Sequence, residues 1–447
     1  MPSPISLWPN PNALGPTTDV YQLTMMAGYS ASGMAEERAT FELFVRKLPH
    51  GRSYLVFAGL EQAIGDLLKL AFSEEQAAYL RALPAFAHVD SSWFDALPNL
   101  RFQGDVWAMP EGTIVFPGET LLRVEAPLAQ AQWVETFLIA SLNYPTLVAS
   151  KAARVVQAAE GRPCVDFGAR RGHGPHAGFL CARAAYLAGF AGTSHVEAAR
   201  LLGIPAVGTM AHAWVQSFDH EEDAFAAFAK TFPENSTLLV DTYETLEGVR
   251  KAAKIEPPIQ AVRIDSGDLG MLSIEARKIL DANDRRSTKI IVSGDLEEHK
   301  ITSLIKQGAA INSFGVGTEL ITSRDAPALA MVYKLVALGG KGRVKLSPGK
   351  RTYPLAKQVF RQSDGQGTFT GDHVTRWDET AEGEPLLEPV VREGKLVEDL
   401  PTLEAIRARC RSQVGRLPDH LRALDVDAPY PISYSDALEN AARGLGL

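Results

Sequence analysis

Short apolar runs alternate with amphipathic helical segments through the middle of the chain. The predicted strands are Cys164–Phe167, Ala206–Gly208, Leu238–Val240, Ala261–Ile264, Ile290–Val292, Ile311–Phe314 and Met331–Leu338. Strands that alternate with helices are typical of βαβ units and of a parallel sheet. Roughly six or seven such units over about 200 residues favour an irregular α/β barrel-like domain over an open sheet, although a complete barrel has about eight strands.

The segments on either side of this region lack the regular alternation and mix helices with strands. Two long helical segments, Leu128–Leu142 and Thr146–Ala159, lead into the alternating region. We therefore expect two domains. An α+β domain is formed by the N- and C-terminal segments, 1–127 and 340–447, and the α/β barrel-like domain occupies 128–339.

Composition and charge exclude several classes of protein. Hydrophobic residues make up 46% of the chain and charged residues 22%, and no apolar run is long enough for a membrane span. The three cysteines lack the spacing of a zinc site or a disulfide framework. A net charge of −8 gives no general basic surface for nucleic acid. The N-terminus lacks the pattern of a signal peptide, so we expect a cytoplasmic protein with no membrane and no nucleic-acid partner.

Two acidic residues follow the predicted strand Ala261–Ile264, in the sequence Asp-Ser-Gly-Asp that leads into a helix at Met271–Asn283. The carboxyl ends of parallel strands meet on one face of a sheet, where α/β proteins place their chemistry. A carboxylate there can bind sugar hydroxyls, hold a magnesium ion or stabilise developing positive charge. We favour such a role for Asp265, whereas Asp268 is equally well explained as a helix cap.

The residues that follow the other strands add phosphate-binding and ring-binding candidates. Ser293-Gly294-Asp295 and Gly315-Val316-Gly317-Thr318 are glycine turns whose N–H groups can approach a phosphate. Arg170-Arg171 offers donors for a carboxylate or phosphate, and Phe167 offers a face for a flat ring. His212 is an acid–base group, a phosphoryl acceptor or a structural histidine. The residues alone predict an α/β enzyme for a phosphorylated sugar and a flat anionic ring.

Taken in order, these motifs resemble those of the nicotinate phosphoribosyltransferase family, within the type II phosphoribosyltransferase group. The matching segments run from near residue 17 to the C-terminal region and read TDVYQLTM, DFGARRGHGP, GTMAHAW, VDTYETLEG, VRIDSGDL, SGD, FGVGTELIT, MVYKLV and KLSPGKRTYP…KQVFR. The last segment, in the 345–361 loop, departs from the family pattern because Leu355-Ala356 replaces an expected Pro-Gly turn.

The resemblance implies an activity and its partners. Enzymes of this family transfer the phosphoribosyl group of phosphoribosyl pyrophosphate to nicotinate, which yields nicotinate mononucleotide and pyrophosphate for NAD biosynthesis. ATP is a hydrolysed co-substrate, Mg²⁺ is the cofactor, and we expect no direct protein ligand to the metal. The resemblance also implies a homodimer with a shared active site, in which Tyr21 of the partner subunit faces Phe167 across the ring.

The resemblance also implies roles for individual residues. His212 matches the histidine that ATP phosphorylates, and Asp265 matches the catalytic carboxylate near the ribose. Arg170, or its neighbour Arg171, holds the nicotinate carboxylate or a phosphate. The further substrate-binding residues are Asp19, Tyr21, Phe167, Ser194, Thr209 and Arg263, and the 5′-phosphate is bound by Ser293, Gly294, Asp295, Gly315, Gly317 and Thr318.

Ser194 favours nicotinate as the base. In relatives that use nicotinamide an aspartate stands at this position, and its charge would repel a carboxylate. Nicotinamide phosphoribosyltransferase remains the alternative of the same class. A sugar-phosphate lyase or aldolase barrel and a catalytically silent nucleotide-binding sensor are alternatives of different classes, but the strand ends before Met331 offer no lysine for a Schiff base.

Overall fold

The computed structural model describes residues 10–346, 352–424 and 429–446. Helices and strands of comparable number make up the described chain. The helices are α1 Val20–Ala31, α2 Leu60–Leu67, α3 Glu74–Ala82, α4 Ser91–Ala96, α5 Leu128–Trp133, α6 Glu135–Ala158, α7 Pro175–Leu187, α8 Val196–Leu202, α9 His212–Gln216, α10 Glu221–Thr231, α11 Thr245–Ala253, α12 Leu269–Ala282, α13 Glu298–Lys306, α14 Thr318–Ile321, α15 Leu403–Gly415, α16 Asp419–Arg422 and α17 Asp436–Gly444. Short 3₁₀ turns lie at Pro84–Phe86, Leu97–Asn99, Ala169–Arg171 and Pro233–Asn235. None of the described helices combines the length and apolar character needed to cross a membrane.

The strands range from two to eight residues in length. They are β1 Arg38–Val45, β2 Leu55–Val56, β3 Asp105–Ala108, β4 Ile114–Val115, β5 Leu122–Pro127, β6 Cys164–Asp166, β7 Gly192–Thr193, β8 Thr237–Leu239, β9 Ala261–Ile264, β10 Lys289–Val292, β11 Ser313–Val316, β12 Met331–Leu338, β13 Lys341–Gly342, β14 Lys357–Ser363, β15 Phe369–Arg376, β16 Glu384–Pro385, β17 Glu388–Arg392, β18 Lys395–Leu396 and β19 Ile432–Tyr434.

The chain divides into two compact units, of which the first is discontinuous. It combines Met1–Thr146 with Ala328–Leu447, and the second unit is Leu147–Pro327. Helix α6 contains the boundary at residue 146 and continues through Pro145. The predicted break between the helices Leu128–Leu142 and Thr146–Ala159 is therefore wrong. The break lies instead at Val134, between α5 and α6.

The second unit is built on a six-stranded sheet in the order β7-β6-β11-β10-β9-β8, in which every pair is parallel. This confirms the predicted α/β class. All of residues 147–327 are described, and among them no pairing joins β8 back to β7, so the sheet stays open. The carboxyl ends of all six strands share one edge.

Two predicted strands differ from the structure. Ala206–Gly208 contributes a single bridge, from Ala206 to Thr193, while the two-residue strand β7 takes the place beside β6. Met331–Leu338 is a strand, but it pairs antiparallel with β1 in the first unit, so its assignment to the barrel-like sheet is wrong. An apolar run predicts a buried strand and carries no information about which sheet it joins.

The first unit contains a seven-stranded antiparallel sheet in the order β13-β12-β1-β5-β3-β17-β18. Strand β1 lies between β12 and β5, which come from opposite parts of the sequence. Buried charges also join these parts. Lys357 Nζ lies 2.7 Å from Glu42 Oε2, and Arg361 Nη1 donates to the carbonyl oxygen of Ile114 at 2.7 Å.

The 345–361 loop is described in part, since residues 347–351 lie outside the described residues. At its described end Leu355 has φ +70°. Proline cannot adopt this conformation, because its ring fixes φ near about −65°. The turn at Leu355-Ala356 therefore has a backbone conformation that a Pro-Gly turn cannot share.

Candidate active site

A cavity of about 630 Å³ lies at the carboxyl ends of the parallel strands of the second unit. Its lining residues come from the loops that follow these strands. They are Phe167, Ala169, Arg170, Arg171, Ser194, Gly208, Thr209, Met210, Ala211, His212, Leu239, Arg263, Asp265, Ser293, Gly294, Asp295, Gly315, Gly317 and Thr318. All predicted site residues of the second unit thus line one cavity. The two others, Asp19 and Tyr21, belong to the first unit.

An arginine and a carboxylate form the centre of the pocket. Arg263, within β9, donates from Nη2 to Asp265 Oδ1 at 2.8 Å and from Nη1 to Thr209 Oγ1 at 3.0 Å. Its Nε donates to Ser293 Oγ at 2.9 Å, and the Ser293 hydroxyl in turn donates to Asp265 Oδ1. Both donors use the same oxygen, and Asp265 Oδ2 has no partner among the described residues. That oxygen is available to a bound molecule.

The surroundings of Asp265 keep its carboxyl group ionised. Burial alone would raise its pKa, but the hydrogen bonds from Arg263 and Ser293, together with the charge of Arg263, outweigh burial and hold the pKa below the usual 3.8. The main chain is held as well, because the Asp265 N–H donates to Asp241 Oδ2 at 3.0 Å. The pocket therefore contains a fixed negative charge at neutral pH.

The ring of Phe167 forms one wall of the pocket. The guanidinium carbon of Arg263 lies 5.5 Å from the ring centroid, and Gly315 on β11 lies directly beside the ring. A Cβ at position 315 would come within 2.4 Å of Phe167 Cε2. Glycine at this position therefore sets where the ring lies.

We predict that Gly315→Ala displaces the Phe167 ring and raises KM for the ring-containing substrate by about tenfold, because small misplacements in a pocket have large effects on binding. Gly315 does not have a positive φ, so the backbone tolerates alanine. Steady-state kinetics measure the change. Gly65→Ala is the matched control, since a Cβ there meets nothing within 4 Å. Equal kinetics of both variants would contradict the prediction.

His212 is the first residue of α9 and is partly exposed in the pocket. Its Nδ1 lies 3.1 Å from Thr242 Oγ1, on the loop after β8. When Nδ1 carries the proton and donates to this hydroxyl, Nε2 is unprotonated and nucleophilic. The contact therefore suits a histidine that accepts a group at Nε2.

The glycine turn after β10 has a backbone conformation that other residues rarely adopt. Gly294 has φ +104°, and a Cβ at this position would lie 2.2 Å from the carbonyl oxygen of Asp265. The next residue, Asp295, has φ +45°. The turn therefore brings backbone close to the Asp265 loop, and only glycine permits this approach.

Arg170 and Arg171 lie on the 3₁₀ turn after β6, and both are exposed. Neither forms an ion pair with a described residue, although both line the cavity. Their positive charges are therefore available to an anionic ligand.

Comparison with known proteins shows which family the chain belongs to. Family profiles match the chain in three consecutive parts: the nicotinate phosphoribosyltransferase N-terminal domain over 17–143, the nicotinate phosphoribosyltransferase family over 163–347, and its C-terminal domain over 379–442. A nicotinate phosphoribosyltransferase of Mycobacterium tuberculosis is 46% identical over 429 residues, which cover 94% of this chain and 91% of the relative. The chain belongs to the nicotinate phosphoribosyltransferase family.

Other members of the family agree in sequence and in fold. A nicotinate phosphoribosyltransferase of Bacillus subtilis is 41% identical over 376 residues, covering 81% of this chain and 76% of the relative. The crystal structure of human nicotinic acid phosphoribosyltransferase superposes with a TM-score of 0.86 at 29% identity, covering 96% of this chain and 99% of that chain. The chain is thus a phosphoribosyltransferase.

Three residues of this phosphoribosyltransferase support the pocket but were not predicted as site residues. Asp241 holds the Asp265 loop and also accepts from Ser266 Oγ at 2.5 Å, and Thr242 contacts His212. Asp166 lies directly before Phe167. Asp241 and Thr242 follow the predicted strand Leu238–Val240, whereas Asp166 lies within the predicted strand Cys164–Phe167. Their positions could be read from the sequence, but their partners depend on the tertiary structure.

Two ambiguous positions can also be placed. Asp268 caps α12, since its carboxylate accepts from the Met271 N–H at 3.0 Å, and it does not line the cavity. Asp19 occupies the cap position of α1 without a side-chain capping bond, and its carboxylate accepts from Thr136 Oγ1 at 2.7 Å. Tyr21 is 50% exposed on α1.

Proposed function

We propose that this phosphoribosyltransferase transfers the phosphoribosyl group of phosphoribosyl pyrophosphate to nicotinate, and so forms nicotinate mononucleotide and pyrophosphate for NAD biosynthesis. The observation that carries the proposal is the grouping of an ionised carboxylate, an aromatic wall, free arginines and glycine turns around one cavity. The names of the relatives support nicotinate as the base.

Asp265 stabilises the positive charge that develops on the ribose during the transfer. The bond between C1′ and the pyrophosphate oxygen breaks, the bond between C1′ and the ring nitrogen forms, and positive charge develops on the ribose in between. A preorganised negative charge stabilises such a transition state. Arg263 and Ser293 fix Oδ1, so Oδ2 is directed to the substrate without losing orientation.

The loops around Asp265 bind the 5′-phosphate and the nicotinate ring. The glycine turns at Gly294-Asp295 and Gly315–Thr318 bind the 5′-phosphate through backbone N–H groups. Phe167 stacks on the nicotinate ring, whose opposite face is covered by Tyr21 of the partner subunit in a homodimer. Asp19 accompanies Tyr21 as a substrate-binding residue. Arg170 or Arg171 binds the nicotinate carboxylate or a phosphate.

His212 couples ATP to the reaction. Its Nε2 attacks the γ-phosphorus of ATP, the bond to the β,γ-bridging oxygen breaks, and ADP leaves. Thr242 accepts from Nδ1–H during this attack, which keeps the proton away from the nucleophilic nitrogen. Hydrolysis of the phosphohistidine later returns the free imidazole and releases phosphate.

In this pocket Mg²⁺ would be coordinated by the phosphates of the substrate and by water, and not by a set of protein ligands. The ion prefers about six oxygen ligands and usually keeps waters and bound phosphates among them. Asp265 Oδ1 and Asp241 Oδ2 are already committed to protein donors. Asp265 Oδ2 and the exposed carboxylate of Asp295 remain to hold water ligands of the ion. When bound, Mg²⁺ neutralises charge on the pyrophosphate.

Ser194 supports the choice of nicotinate, because it lines the cavity and brings no negative charge to it. We predict that Ser194→Asp lowers kcat/KM for nicotinate by about tenfold through charge repulsion and raises the use of nicotinamide. Initial rates with each base measure the ratio. Ser194→Asn, of similar size and without charge, is the control. A similar loss in both variants would assign the effect to size.

The proposal is tested by product formation from phosphoribosyl pyrophosphate with nicotinate or nicotinamide, with and without ATP. Preferential formation of nicotinate mononucleotide, stimulated by ATP, is expected. Consumption of neither base would overturn the transferase proposal. Preference for nicotinamide would contradict the argument from Ser194 while leaving the phosphate-binding loops in place.

A further inference from the structure

A buried carboxylate lies behind the ring-binding part of the pocket. Asp166 ends β6 and is 1% exposed, and it does not line the cavity. Phe167 follows it directly in the chain, and Ser194 follows the adjacent strand β7. Both of these residues line the cavity.

Asp166 binds the two loops that carry these residues. Oδ1 accepts from the N–H of Gly168, immediately after Phe167, at 2.8 Å. Oδ2 accepts from the hydroxyl of Thr193, immediately before Ser194, at 2.8 Å. The main-chain carbonyl of Asp166 also accepts from the Ser194 N–H at 2.8 Å. One side chain therefore connects the loop that carries Phe167 to the neighbouring loop that carries Ser194.

The connection has little freedom to relax. A Cβ at Gly168 would lie 3.0 Å from Asp166 Oδ1 and 2.8 Å from Ile321 Cβ, so the loop after Phe167 lies close against both. On the other side, Thr193 is fully buried, and its Oγ1 also accepts from the His195 N–H at 3.1 Å. Changing either end would shift a wall of the pocket.

We propose that Asp166 is a positioning residue that sets the spacing between Phe167 and Ser194, and through it the affinity and selectivity for the base. The proposal rests on the proposed nicotinate phosphoribosyl transfer. Asp166 does not line the cavity, so it acts through the residues that do. Of the two phosphate turns, the one at Gly294 follows β10, which is not paired with β6, whereas the one at Gly315–Thr318 follows β11, which pairs with β6.

The chemistry requires a carboxylate and a hydroxyl at these two positions. An ionised carboxylate accepts at both oxygens, whereas asparagine presents an N–H₂ group that faces another donor on one side. Burial raises the pKa of Asp166, while the bonds from Gly168, Thr193 and Cys181 oppose the rise. Valine at 193 keeps the shape of threonine but loses the donated bond.

The test compares Thr193→Val and Asp166→Asn with Thr193→Ser. We expect the first two to raise KM for nicotinate by about tenfold or more with a clearly smaller rise in KM for phosphoribosyl pyrophosphate, and to reduce the preference for nicotinate over nicotinamide. Thr193→Ser keeps the hydroxyl, so we expect it to have the wild-type KM for nicotinate and the wild-type preference for nicotinate over nicotinamide. Cys181→Ala is the matched control. The Cys181 thiol lies 3.8 Å from Asp166 Oδ1, but Cys181 belongs to α7, and no residue of α7 lines the cavity.

The outcomes separate this proposal from a purely structural role and from the proposed function. Unchanged KM for nicotinate in Thr193→Val, or an equal rise in KM for both substrates with a lowered Tm, would overturn the positioning role. If Asp166→Asn does not fold, the pair Thr193→Val and Thr193→Ser still decides. A wild-type enzyme that consumes no nicotinate would instead overturn the proposed function itself.

Discussion

Replacing Asp265 by alanine is expected to lower kcat/KM for phosphoribosyl transfer by about 10²–10³-fold, the usual effect of removing one preorganised electrostatic group from an active site. The carboxylate is ionised at neutral pH, because Arg263 and Ser293 hold its pKa below 3.8 against the effect of burial. Alanine removes the charge that opposes the developing positive charge on the ribose. Rates of nicotinate mononucleotide formation with phosphoribosyl pyrophosphate as the varied substrate measure the loss.

Asp268→Ala is the matched control, since Asp268 lies in the same turn but caps α12. Loss of this cap is expected to lower the free energy of unfolding by about 1 kcal/mol while activity is retained. Equal inactivation of both variants would indicate that the turn unfolds locally. Wild-type activity in Asp265→Ala would remove the residue from the mechanism.

Replacing His212 by alanine is expected to abolish ATP hydrolysis and the stimulation of transfer by ATP. The transfer that proceeds without ATP should continue at the wild-type basal rate, because Asp265 and the glycine turns are unchanged. Initial rates with and without ATP measure the effect. Acid-labile radiolabel from [γ-³²P]ATP, bound to wild type and lost in the variant, would identify the phosphohistidine.

His220→Ala provides the comparison for this variant. His220 is exposed, precedes α10 and makes no side-chain capping bond. It should keep both ATP hydrolysis and stimulation. Stimulation that survives in His212→Ala would contradict the proposed role of His212, and its loss in both variants would point to an indirect effect.

The sequence was sufficient to place the site in the second unit because strand ends have a simple geometric consequence. Asp265 and Gly294 follow two predicted strands that pair in parallel, so the ends of these strands lie at one edge. His212 follows the predicted strand Ala206–Gly208, which joins the sheet only through a parallel bridge to Thr193. Residues far apart in the sequence could therefore be placed together without direct contact information. Only the strand pattern and the residue after each strand were required.

Other features depend on contacts that no local pattern contains. Strand β7 has two residues, Gly192 and Thr193, and neither periodicity nor propensity distinguishes it from a loop. Pro145 is a strong signal for a helix end, yet α6 continues through it. Asp166 acts through Thr193, and this partnership exists only once β6 and β7 are paired.

The position of β1 between β5 and β12 has a consequence for synthesis of the chain on the ribosome. Strand β1 ends at Val45, whereas its partner β12 begins at Met331. At about 5–20 residues per second, the 285 intervening residues, 46–330, take on the order of 15–60 s to translate. During that interval the edge of β1 that later pairs with β12 has no strand beside it and is open to pairing with other nascent chains. A message truncated before Met331 would leave that edge permanently open.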